Sequence, residues 1–218
     1  MPNNLPITDN TRLTRTRERG NHSTESIYPI LDDGILCHIG FEDKGHPVVL
    51  PTAYIRYGHQ IMIHGAVNGR FFQRLAEGIP CCVTVSHLDG LVLARSAFHH
   101  SVNYRCAMLF GQFTVVTDLE EKRQLLDVFM EGCIPGRNGD AIRRGSDKEI
   151  NATALLLMDI NEASSKIRTG PPNDDVDDMS LPVWAGVVQR EPARYTYITA
   201  PDCPESIAQP AYLDTLTF

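Results

Sequence analysis

Apolar and polar positions alternate along much of this chain, and the period changes at a few definite points. GILCHIGFED (34–43) sets Ile35, Cys37 and Ile39 against Leu36, His38 and Gly40, the period-two pattern of a strand at least partly buried on both faces. KGH (44–46) makes a turn, and PVVLPTAYIRY (47–57) predicts a second strand, interrupted by Pro51. A proline offers a ladder no N–H, so this strand belongs at an edge, at a bulge, or where a ligand takes a neighbour's place. QIMIHGA (60–66) predicts a third strand. From Asn68 to Glu77 the period lengthens. Phe71, Phe72 and Leu75 share a helical face, and Gly78 and Pro80 end the helix. CCVTVSHL (81–88), Asp89-Gly90 and LVLARSAF (91–98) read as strand, two-residue hairpin turn and return strand. YRCAMLFGQFTVV (104–116) predicts a long strand bending at Gly111.

The remaining pattern is simpler. TESIYPILD (24–32) and DLEEKRQLLDVFMEGCI (118–134) predict helices, the second capped by Asp118. PGRNGDAIRRGS (135–146) is a loop, a short helix runs from Asp147 to about Asn151, and TALLLMDI (153–160) is a strand. SSKIRTGPPNDDVDDM (164–179) reads as a polar loop and LPVWAGVV (181–188) as a short apolar piece. No strand–helix–strand unit repeats, so a parallel sheet is not expected. Six or seven short antiparallel strands with a few short helices predict a mainly β chain, a Greek-key barrel. Three segments result: a basic flexible arm (1–20), the barrel domain (21–190) and a proline-containing C-terminal tail (191–218).

Charge narrows the partners. The net charge is −7, no long basic tract follows residue 20, and Arg12, Arg15, Arg17 and Arg19 make the arm locally basic. Nucleic acid needs a positive footprint and is not expected. No run of eighteen apolar residues exists, so no membrane span is expected either. The arm lacks the apolar stretch of a secretory signal, and Asp9 and Glu18 argue against a transit peptide. Six cysteines, none in C-x-x-C and none at zinc-like spacing, read as reduced thiols in a cytoplasmic protein.

The candidate chemistry is sparse. The neighbours His99 and His100 point apart in an extended chain and cannot share a metal. No G-x-S-x-G, G-x-G-x-x-G or Walker sequence occurs. The start of the helix at 68–77 has free N–H groups, Asn68 as a cap, Gly69 for close backbone approach, and Arg70. This is either an anion site or an ordinary turn with a solvated arginine. His64, at a strand end, is either structural or a titratable ring beside a cofactor. SAFHHSVNYR (96–105) is rich in donors between two apolar strands, as a functional connection or a plain polar crossover.

Taken in order, HPVVLPT, IHGAVNGR, LDGLVLARSAFHHSVNYR, KIRTGPP and LPVWAGV resemble the FMN-binding split-barrel superfamily over roughly residues 20–190. The nearest likeness is the pyridoxamine-phosphate-oxidase-like branch that includes nitroimidazole-resistance proteins. The resemblance implies a six-stranded antiparallel split barrel, a homodimer, and FMN at each end of the subunit interface. It implies flavin contacts from Leu50, Pro51, Thr52 and Ala53, and from Ile63, His64, Asn68, Gly69 and Arg70. Gly69-Arg70 stands where the oxidase members carry an Arg-Lys pair. Arg105, Lys166 and Arg168 would supply positive charge near the phosphate or a substrate, within the chain or across the dimer, and Trp184 would lie near the cofactor. His64 is the implied catalytic residue. The implied activity is that of an FMN-dependent oxidoreductase acting on a small organic molecule with NAD(P)H as donor. The alternative is a non-catalytic flavin- or haem-binding protein. The arginine-rich C-terminal substrate pattern of true pyridoxamine phosphate oxidation is not found.

Overall fold

The computed structural model describes residues 3–191, 196–204 and 206–216. Its alternating segments pair into one curled antiparallel sheet. The strands are β1 (Gly20–Asn21), β2 (Leu36–Asp43), β3 (His46–Tyr57), β4 (Gln60–Ala66), β5 (Cys81–Leu93), β6 (Ser101–Gly111), β7 (Thr114–Val115), β8 (Thr153–Asp159), β9 (Ala163–Arg168) and β10 (Gly186–Gln189). The helices are α1 (Thr24–Asp32), α2 (Arg70–Ala76), α3 (Leu119–Cys133) and α4 (Asp147–Asn151). The sheet order is β1-β9-β6-β5-β2-β3-β4-β8-β7, with β10 attached to β5.

The class is as expected, but the sheet has ten strands rather than six. β9 forms within the stretch expected as a polar loop. Its serines are buried by pairing rather than by hydrophobicity: Ser165 Oγ meets Ser26 Oγ of α1 at 2.7 Å. The expected hairpin at Asp89-Gly90 is absent. β5 runs straight through it, and the register against β6 shifts between Leu88 and Gly90, a bulge. Gly90 does not take a positive φ. A Cβ there would lie 2.9 Å from the Val188 carbonyl oxygen, so the glycine admits β10 instead of making a turn. The true return strand is β6, reached through a short 3₁₀ turn at Ala97–His99.

Alternation divides the side chains between two layers. Inward residues of the sheet, among them Ile39, Tyr54, Ile63, Val83, Leu109 and Leu156, enclose the main core and are closed by Ile27, Ile30 and Leu31 of α1. The Tyr54 hydroxyl donates to the Leu31 carbonyl at 2.6 Å. On the outer face, Leu125 and Phe129 of α3 cover Ile55, Met62 and Leu155. The first residues, expected as a loose arm, lie on the body. Leu5 is buried, Asn10 Nδ2 donates to Glu162 at 3.0 Å, and Lys166 Nζ donates to the Arg15 carbonyl at 3.1 Å. Among the described residues all cysteines are free, and no helix is long and apolar enough to cross a membrane.

Candidate functional site

The sheet is split beside β3. Its ladder with β2 runs from Asp43↔His46 to Leu36↔Ala53. Its ladder with β4 covers only Tyr54↔Ile63 to Tyr57↔Gln60. Beyond Ile63, β4 continues with β8 alone. Residues 46–53 therefore have one edge with no ladder partner among the described residues. The Tyr54 N–H donates to the Ile35 carbonyl on the β2 side. By alternation the backbone groups of Ala53, Pro51 and Val49 face the open edge. Pro51 has no N–H, so it removes one donor that this edge would otherwise have to satisfy. Pro51 and Ala53 are exposed on the outer face, while Leu50 and Thr52 turn inward and are half-buried.

His64 is the first residue of β4 past its last pair with β3, and it pairs with Leu155 on the other side. It shares the outer face with Met62 and meets Phe129 of α3 edge-on, ring centres 4.4 Å apart. Its Nδ1 is buried and has no hydrogen-bond partner among the described residues. Burial holds its pKa below the ordinary value, so the ring favours the neutral form. The neighbouring Gly65 is required: a Cβ there would lie 2.5 Å from the Phe72 ring of α2.

His64 lines a cleft of about 640 Å³ between α3 and the loop leading to α4. Leu126, Phe129, Met130, Ile142 and Ile150 contribute apolar walls, and Arg123, Arg143 and Arg144 line it together with Asp127, Asp140 and Glu149, so its charge is mixed. Arg123 bonds to Asp147 at 2.6 Å, Arg143 to Glu149 at 2.8 Å, and Arg144 lies 3.3 Å from Asp127. The Arg143 and Arg144 side chains are 71% and 73% exposed, so both can turn toward a ligand. The sequence reading missed these arginines. The available signal was a second cationic cluster, Arg137, Arg143 and Arg144, in the loop of an otherwise acidic chain.

The other expected contacts are placed differently. α2 is capped by Gly69 and not by Asn68, with no side-chain cap. Arg70 is paired with the buried Asp43, whose other oxygen lies 3.7 Å from Arg74. The surrounding hollow also holds Glu42, Glu77 and Lys44, so its charge is mixed. Arg105 is gripped by Asp89 through two bonds of 3.0 Å and by Asp33. Arg168 is buried, bonded to Asn103 and to the carbonyls of Gly170 and Pro171 at 3.2 and 3.1 Å, with no carboxylate partner among the described residues. Trp184 is 66% exposed and lies over Gly186. Within the chain, β3, β4 and the start of α2 bring the expected contacts Leu50–Ala53, Ile63, His64 and Gly69 close in the fold. Arg105, Lys166 and Arg168 sit on β6 and β9, separated from β3 by β5 and β2.

An antiparallel half-barrel opened beside one central strand is the FMN-binding split-barrel fold. Comparison with known proteins gives the family. Residues 23–167 match the family described as pyridoxamine 5′-phosphate oxidase, and the chain belongs to it. Among solved structures, the flavocytochrome Anf3 from Azotobacter vinelandii is 37% identical, with a TM-score of 0.88 over 94% of this chain and 95% of that one. The FAD and heme binding protein from Mycobacterium smegmatis is 36% identical, with a TM-score of 0.86 over 91% and 97%. A protein described as a 5-nitroimidazole antibiotic resistance protein, from Bacteroides thetaiotaomicron, shares the fold at 22% identity and a TM-score of 0.55, over 68% and 86%. No curated protein matches the chain.

Proposed function

We propose that the protein is a flavin-dependent oxidoreductase that also carries haem. In this reading the flavin lies along the open edge of β3, the haem lies in the cleft beside α3, and His64 stands between the two. The observation that carries it is the His64 ring, neutral by burial, with a buried nitrogen unpartnered among the described residues, set in a cleft with apolar walls and exposed arginines paired with carboxylates. That donor set fits a large planar apolar group with carboxylate arms. The names of the two relatives at 36–37% identity, a flavocytochrome and a FAD and heme binding protein, support the pair of groups.

When bound, flavin supplies one- or two-electron transfer and haem supplies one-electron transfer. The chain supplies the rest. The open backbone edge of Val49, Pro51 and Ala53 offers carbonyls and N–H groups to a flavin ring. His64 offers a ring nitrogen as ligand or proton carrier. Arg143 and Arg144 meet carboxylates, and Phe129 and Phe72 exclude water around His64. Arg70, already neutralised by Asp43, is a weak partner for a phosphate. FMN is the expectation from sequence and FAD is the flavin in the second relative's name; the mass of the released flavin decides between them.

A second copy of the chain covers the outer face in this reading, where Leu36, Val49 and Met108 are exposed. Arg105, Lys166 and Trp184 then reach the flavin from that copy, while Arg168 stays buried within its own chain. NAD(P)H is the proposed donor and a small electron-poor molecule the acceptor. Absorbance of protein supplied with flavin and haemin tests the assignment. His64→Ala should lose the Soret band and keep the flavin. Equal retention of both groups overturns the role of His64, and uptake of neither by the unaltered protein overturns the whole reading. The second reading is a non-catalytic flavin- or haem-binding protein, favoured by the neutralised Arg70 and arginine wall. It predicts that NAD(P)H does not bleach the flavin.

A further inference from the structure

The loop between α3 and α4 forms the outer wall of the His64 cleft, contributing Asn138, Asp140 and Ile142. Its two ends are tied to α3. The Glu131 carboxylate accepts from the Gly136 N–H at 2.7 Å and the Asn138 N–H at 3.4 Å. Asn138 Nδ2 donates to the Asp127 carbonyl at 2.8 Å, and Arg123 Nη1 donates to the Gly145 carbonyl at 2.5 Å. The middle has no such anchor. Among the described residues, Gly139 to Ile142 bond only within their own loop, with one exception.

The exception is Tyr212, far along the C-terminal tail, in a 3₁₀ turn at Ala211–Thr215. Its hydroxyl donates to Asp140 Oδ2 at 2.7 Å and accepts from Arg137 Nη1 at 3.2 Å, while Arg137 bonds to the same carboxylate oxygen at 2.8 Å. Its ring lies on Gly136. A Cβ at that position would be 2.9 Å from Tyr212, and the φ of +91° independently demands glycine. One side chain thus holds both the polar middle and the glycine corner of the wall.

We propose that Tyr212 is a positioning residue: through it the C-terminal tail latches the wall of the His64 cleft and sets how fast a ligand enters and leaves. The proposal rests on the cleft being a ligand site, but the latch itself is testable without ligand. In the full-length protein, Tyr212→Ala should speed amide exchange at residues 139–142 and tryptic cleavage after Arg137 and Arg143 by about tenfold, equivalent to about 1.4 kcal/mol. Tyr212→Phe keeps the ring on Gly136 and should recover part of that protection. The melting temperature and far-UV dichroism should stay near those of the unaltered protein. Release of haemin to an acceptor globin should quicken in the same order of variants. Faster exchange with no haemin binding by any form sinks the cleft reading and leaves the latch standing. Unaltered exchange and cleavage in Tyr212→Ala overturns the latch whatever the cleft binds. Should Tyr212→Ala fail to fold, Tyr212→Phe carries the test, and wild-type exchange at 139–142 in that variant overturns the proposed hydroxyl contact.

Discussion

At the scale of single residues, the decisive feature is that several ionisable groups have been removed from water on unequal terms. Burial favours the neutral form of His64. Its folded pKa is depressed, so the unfolded chain binds the proton more readily. The stability tied to this residue is therefore complete above the ordinary imidazole value of 6.5 and is lost as the pH falls through the lower folded value. Urea titrations of the apoprotein between about pH 7 and pH 5 should show this loss, and His64→Gln should flatten that part of the curve. A slope unaffected by the substitution would place the dependence elsewhere. Arg168 is the complementary case. Its guanidinium is buried against neutral acceptors, and desolvation lowers its pKa. Its neighbour Arg105, with two carboxylates, is held more strongly cationic than usual.

At the scale of elements, β5 decides where the upper half of the molecule points. The bulge at Asp89 keeps Val92 and Ala94 buried after the register shift. Asp89 is the extra residue, so an alanine inserted after it would shift the following chain by one more position and turn those side chains outward. The insertion should therefore cost more in denaturant unfolding than Asp89→Ala, which loses only the grip on Arg105, by about 2 kcal/mol or more. Similar costs for both changes would mean that the bulge does not fix the register. The same strand shows what sequence can and cannot reveal. Strands β2, β3, β4 and β8 and helices α1 and α3 were readable because apolar spacing and cap residues are local signals. Asp89-Gly90 carries the local signal of a turn, yet its glycine answers a long-range need, the approach of β10. β9 was invisible because its serines are buried through partners far away in sequence. At the site, Pro51 and His64 could be singled out from the chain. The pairing of Arg70 with Asp43, and the arginines around the cleft, depend on which loops meet and could not.

At the scale of the whole molecule, the outer face of the sheet from β6 to β3 remains uncovered on one side of α3. Leu36, Val49 and Met108 are exposed there at 56%, 64% and 40%. Several exposed apolar side chains on one face suit a partner rather than water. If a second copy covers it, Val49→Glu should shift the protein from dimer to monomer in sedimentation and weaken flavin retention, with the monomer still folded by circular dichroism. A dimer that survives the charge would move the interface away from this face. The ends of the sheet have a different consequence. Its outermost ribbons, β1 and β7, are two residues long, and the open stretch of β3 is interrupted by a proline. Short, broken borders give a stray strand little to template on, so this chain is built to resist growth into fibrils.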